Sequence, residues 1–137
     1  MPRPKGKPSI TPIDRMLGEV SWLLSHAQAL NDYGRQGDAS AEWARAADGE
    51  EQVACLLEAD GQEREAAIHR VSAASCSEKL GQYARAVTLL HAALSVSLPK
   101  DYRKQVEVQL ASALSRAHEQ LGLAAARKER RQAPAVL

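Results

Sequence analysis

No proline falls between residues 13 and 98, although Pro2, Pro4, Pro8 and Pro12 crowd the start and Pro99 and Pro134 follow later. A stretch of that length without proline is free to be helical, because nothing in it lacks a backbone donor or clashes with the preceding turn. The apolar residues agree. Alanine and leucine supply most of them, phenylalanine is absent and aromatics make up only 4%. That is a helix-forming set, and it argues against a sheet core built on valine, isoleucine and aromatics. With 137 residues, 45% hydrophobic and 26% charged, the chain suits one globular domain rather than a disordered or membrane protein.

Apolar spacing and breaker residues place five helices. Thr11-Pro12-Ile13-Asp14 reads as a capped start, with Thr11 as the cap, Pro12 in the first helical position and Asp14 reaching back. The first stripe is Ile13, Leu17, Val20, Leu24 and Ala27, with Met16, Leu23 and Leu30 beside it. Gly34 and Gly37 are expected to end this helix, and Asp38 to cap a second one carrying Trp43, Ala46, Ala47, Val53, Leu56 and Leu57 up to Gly61. Within it, Asp48-Gly49 is either a tolerated interior glycine or a break into two shorter helices. A third helix is expected over 62–79 and a fourth over 82–97, separated by Gly81. The fifth follows Pro99, carries Val106, Leu110, Ala113, Leu114, Ala117 and Leu121, and meets Gly122. Connections this short force neighbouring helices to pack antiparallel, so the chain reads as successive αα-hairpins.

The segment Leu80-Gly81-Gln82-Tyr83-Ala84-Arg85-Ala86-Val87, continued by Leu89-Leu90-His91-Ala92-Ala93-Leu94, carries a recognisable pattern. It resembles a tetratricopeptide repeat, whose hairpin glycine, tyrosine, small alanine and later Ala-Leu pair fall on Gly81, Tyr83, Ala86, Ala93 and Leu94. Gly37 and Gly122 sit 44 residues before and 41 after Gly81 and define loosely similar flanking copies. A second register fits nearly as well: Val53, Ala54 and Leu57 precede Gly61 and Ala66, making the second helix the leading one. The resemblance implies an all-α, right-handed helical repeat of about five helices over residues 11–122. It leaves a basic tail at 1–10 and another at 123–137 that can continue as helix.

What the resemblance implies for function is a protein-interaction module, an adaptor, scaffold or chaperone-like part, holding a partner's peptide or amphipathic helix in a groove. In the preferred phase the first, third and fifth helices line that groove. They offer Asn31, Arg35, Val71, Ser75, Glu78, Ser112, Arg116 and Glu119 as partner-binding residues. The family's carboxylate-gripping pattern is matched only by Asn31, with Ala27 where a lysine would be needed, so a C-terminal carboxylate is not the expected ligand.

Charge suggests a second reading. The chain carries +1 overall, yet Arg3, Lys5 and Lys7 at one end and Arg127, Lys128, Arg130 and Arg131 at the other make both tails basic and the body acidic. Such tails could contact nucleic-acid phosphates, with the helical body as a support. No cofactor, metal site or enzymatic activity is expected. His26, His69, His91 and His118 fall on separate helices without an HxxxH pair, and there is no glycine-rich phosphate loop or nucleophile elbow. Trp22 and Trp43 are expected in the core, filling space beside alanines. Cys55 and Cys76 are expected as buried free thiols. An antiparallel return at Gly61 sets them roughly 14 Å apart at about 1.5 Å per residue, beyond the ~7 Å that a disulfide spans. The apolar runs are too short to span a membrane and the basic start is followed by Asp14, Arg15 and Glu19, so a soluble cytoplasmic protein is expected.

Overall fold

The computed structural model describes residues 10–132 and consists of five α-helices, with no strand among the described residues. They are α1 (Pro12–Asp32), α2 (Gln36–Ala59), α3 (Glu63–Lys79), α4 (Tyr83–Leu94) and α5 (Lys100–Gln132). The helix start at Thr11 forms as the sequence suggests. Thr11 Oγ1 accepts from the Asp14 amide at 3.1 Å, and the Thr11 amide reaches Asp14 Oδ2 at 3.4 Å. Both ends of the box are thereby satisfied, with Pro12 in the first turn, where no amide is needed.

One turn is used three times. Gly34, Gly61 and Gly81 each have φ between 72° and 77°, a region that side chains with a Cβ avoid. At each, the glycine amide and the next amide fold back onto the helix just ended: Gly34 to Asn31 and Arg35 to Leu30, Gly61 to Glu58 and Gln62 to Leu57, Gly81 to Glu78 and Gln82 to Ser77. This double bond is the Schellman arrangement, which satisfies carbonyls that a helix end would leave bare. The residue after each glycine then accepts the first amide of the next helix, from Ala39, Ala66 and Ala86, and all three alanines are buried. The working glycine of the first turn is therefore Gly34. Gly37 lies inside α2, and Asp38 sits in its first turn, where it accepts from Arg35 Nε at 2.8 Å instead of capping. Gly122 is likewise inside α5, which passes through it to Gln132. The spacing of 44 and 41 residues thus compares one turn with two helix interiors.

The fourth connection is built differently. α4 stops at Leu94, short of the expected 97, and the Arg103 guanidinium donates to the Leu94 and Val96 carbonyls at 3.2 and 3.4 Å. Leu98 is buried beneath this link with Ala67 and Ala93.

Packing is tightest between helices consecutive in the chain. Contacts also skip one helix. Cys76 of α3 joins Leu23 and Ala27 of α1 around Trp43, and Ala73 and Ala74 of α3 join Val106 and Ala113 of α5. So α1, α3 and α5 lie side by side with α2 and α4 behind them, as the salt bridges from Arg85 of α4 to Asp48 and Glu51 of α2 also require.

The Asp48-Gly49 ambiguity resolves as a continuous α2, for a steric reason. A Cβ added to Gly49 would lie 2.7 Å from Val20 Cγ2, and Val20 is buried on α1 with its β-branched side chain held in place. The glycine lets α1 and α2 approach. Gly49→Ala gains about 1 kcal/mol of helix propensity but overpacks the seam by ~1–3 kcal/mol. The expected outcome is a lower melting temperature, and a smaller penalty in a Val20→Ala background. A double-mutant cycle by denaturant unfolding checks it, and equal penalties in both backgrounds would refute the seam.

Candidate partner-binding face

On α3 the buried positions Ala66, Ala73, Ala74 and Ser77 point toward α2 and α4. The opposite stripe, Ile68, Ser72, Ser75 and Lys79, recurs at spacings of four, three and four and remains exposed or half-buried. This stripe is the outer ridge of the layer made by α1, α3 and α5. Between α1 and α3 it borders a shallow pocket of about 230 Å³ lined by Leu24, Trp43, Val71, Ser72, Ser75, Cys76 and Lys79. Trp43 belongs to α2 but reaches forward to form the pocket's base, and Lys79 Nζ stands 5.5 Å from its ring centroid. Between α3 and α5, Gln109 Nε2 donates to Ser75 Oγ at 3.1 Å and to Glu78 Oε2 at 2.8 Å, tying the two ridges together.

Most of the expected site residues fall on this layer, in unequal states. Ser75 and Val71 line the pocket, although Val71 is half-buried and also packs on the α4–α5 core. Glu78 is half-buried and held by Gln109. Ser112, Arg116 and Glu119 follow Gln109 along one stripe of α5 and are exposed, with Arg116 lying 5.7 Å from the Tyr83 ring centroid. Asn31 is half-buried near the end of α1, and Arg35 is spent on the α1–α2 turn, paired with Asp38 at 2.6 Å. Lys79, Ser72, Trp43 and Gln109 were missed by the sequence reading. Of these, Lys79 and Ser72 could have been found by extending the Ser75 stripe of α3 by one turn each way.

Two aromatic and thiol expectations need correction. Trp22 is 57% exposed rather than core, and it stacks on His26 with centroids 4.6 Å apart. Cys55 is exposed, and it lines an open pocket of about 600 Å³ on the α1–α2 surface with Met16, Glu51 and Leu56. Cys76 is buried as expected, and both cysteines are free.

The histidine–carboxylate pairs were not foreseen. His26 Nδ1 lies 2.5 Å from Glu42 Oε1, and His69 Nδ1 lies 2.5 Å from Glu50 Oε2, so α2 is pinned to α1 on one side and α3 on the other. Glu50 is only 3% exposed, and Glu42 Oε2 is buried without a hydrogen-bond partner among the described residues. No group of three or more His, Cys, Asp or Glu residues there could hold a metal ion, and no helix is long and apolar enough to cross a membrane. Arg3, Lys5 and Lys7 lie outside the described residues. Arg127, Lys128, Arg130 and Arg131 occupy the last turns of α5, all exposed.

Comparisons with protein families, curated proteins and solved structures gave no significant match.

Thiol chemistry reports on the face directly. Burial, reinforced by the nearby Glu50 carboxylate, pushes Cys76 up from 9.0 to about 11 against the opposing pull of Arg85 and Lys79. The neutral thiol is a poor nucleophile. Native protein at about pH 8, close to the ordinary cysteine pKa but far below that of Cys76, should therefore release one equivalent of thiol to an aromatic disulfide reagent, from the exposed Cys55. The second should react only on unfolding, and two fast equivalents in the native state would show that the pocket opens to Cys76.

Proposed function

We propose that this chain is a protein-interaction module that takes an extended peptide or amphipathic helix of another protein across the face formed by α1, α3 and α5. The observation that carries this reading is the pocket beside Trp43, lined by the apolar Leu24, Val71 and indole together with the polar Ser72, Ser75 and Lys79. An apolar centre inside a hydrogen-bonding rim is how peptide-binding surfaces combine desolvation with orientation. The tetratricopeptide-like motif at Gly81, Tyr83, Ala86, Ala93 and Leu94 supports the same reading, since that repeat presents the first helix of each pair to its ligand. Glu78 on α3 and Ser112, Arg116 and Glu119 on α5 then extend the rim, and the mixture of charges favours neither a purely acidic nor a purely basic peptide.

The nucleic-acid reading has less support. Arg127, Lys128, Arg130 and Arg131 share one half of the circumference of α5, but they are only four charges at the end of an otherwise acidic body.

The test is selection of peptides from a random display library on the folded full chain, followed by titration of synthetic peptides. Binding across the pocket should change the fluorescence of Trp43 in a Trp22→Phe background. Ser75→Arg, at an exposed position, should weaken binding about tenfold or more and leave folding within about 0.5 kcal/mol. Affinity should change little between low and moderate salt, unlike phosphate-driven binding. Peptides that bind Ser75→Arg as well as the parent would move the site elsewhere.

A further inference from the structure

α5 outruns its supports. Gln120 Nε2 donates to the Gly81 carbonyl at 2.7 Å, which sets Gln120 level with the turn that begins α4. Beyond that point α5 continues to Gln132, roughly 18 Å further at 1.5 Å per residue. Past Leu110, which packs on the core shared with α3 and α4, the stripe Leu114, Ala117, Leu121 and Ala124 continues at spacings of three, four and three and turns progressively to solvent. Leu110 and Ala117 are half-buried, Leu114 is 36% exposed, Leu121 is 68% exposed and Ala124 is exposed. A strict alternation of three and four is the seam of a two-helix coil, not the wider face of a helix buried in a globule.

We propose that this stripe pairs with the same stripe of a second copy of the chain, antiparallel, to make a two-fold dimer. The choice of occupant follows from size and charge. Turned antiparallel about a point near residue 119, the seam sets Leu114 against Ala124 of the second copy and Ala117 against its Leu121. The same two contacts repeat across the axis. Large faces small at both of these layers, and the alanines allow the helix axes to come close, near the 8 Å lower limit of helix packing. Charge fixes the direction. A parallel pair would set Arg127, Lys128, Arg130 and Arg131 beside their own copies. The antiparallel pair separates the two basic ends and brings Arg131 of each chain to Glu107 of the other, an exposed carboxylate whose present partner is Arg103 at 3.2 Å. The pocket over Trp43 lies on a different face, so dimerisation does not depend on the peptide-binding reading.

Sedimentation equilibrium of the full chain, over concentrations from about 1 μM to a few hundred μM, a span that brackets a weak dimer, reads the association directly. The expected result is a shift from the chain mass of 14.8 kDa toward twice that value. Leu121→Glu and Ala124→Glu, both at exposed positions, should remain at the chain mass with unchanged helicity and melting at low concentration. Glu107→Arg should weaken association, and Glu107→Arg combined with Arg131→Glu should restore it, because the swapped pair meets again only in the antiparallel arrangement. A monomer throughout the range, a dimer indifferent to both glutamate variants, or a charge swap that restores nothing would each overturn the proposal.

Discussion

The close approach of helices through alanine and glycine is the constraint on which the rest of this structure depends. Among the described residues, twelve of the twenty-two buried apolar ones are alanine, and most are fully enclosed. Seams of this kind bring backbones together, so cohesion comes from many short contacts between helix surfaces rather than from a few large side chains. The chain can therefore hold five helices with no phenylalanine. It also leaves little room for polar groups, and the two buried polar residues are matched: Ser77 Oγ donates to the Ala73 carbonyl at 2.9 Å, and Glu50 meets His69, while Glu42 Oε2 alone among the described residues is buried without a partner. Removing His69 would leave the Glu50 carboxylate buried without that partner, which is costly in a packed interior.

Much of the fold was legible because its signals are local. The capping box needs only Thr11 and Asp14, and the turns at Gly61 and Gly81 need only a glycine between two amphipathic runs. Where two glycines stood close together, the choice between Gly34 and Gly37 depended on which backbone turns left-handed, and composition is blind to that. The role of Gly49 was hidden for another reason. Its necessity lies in Val20, twenty-nine residues earlier, which reaches it only once α1 and α2 have paired. Trp22 is the instructive miss. It sits on the side of α1 opposite Val20, Leu23 and Ala27, and periodicity already placed it there. The helical stripe, not the general preference of large aromatics for the interior, sets its position.

The candidate face was half legible. Ser75, Glu78, Ser112, Arg116 and Glu119 could be placed from helix phase, because a helix surface repeats predictably. The floor of the pocket could not, since Trp43 comes from the helix behind and enters between α1 and α3. The Glu42–His26 and Glu50–His69 pairs, sixteen and nineteen residues apart, were invisible for the same reason. Contacts that cross between layers depend on the angle at which hairpins stack, and single-chain patterns do not encode that angle in any short stretch.

The pairing of each helix chiefly with its neighbours in sequence has a kinetic meaning. Contacts between elements join mainly consecutive helices, so the loops closed are short, little entropy is lost before a contact forms, and proteins of low contact order fold quickly. The same locality makes the molecule come apart piecewise. A terminal helix can lift away while the hairpins behind it stay whole, so α1 at one end and the overhang of α5 at the other open before the α2–α3–α4 centre. Amide hydrogens along the chain should therefore exchange most slowly near the buried carboxylate of Glu50 and fastest toward the two ends.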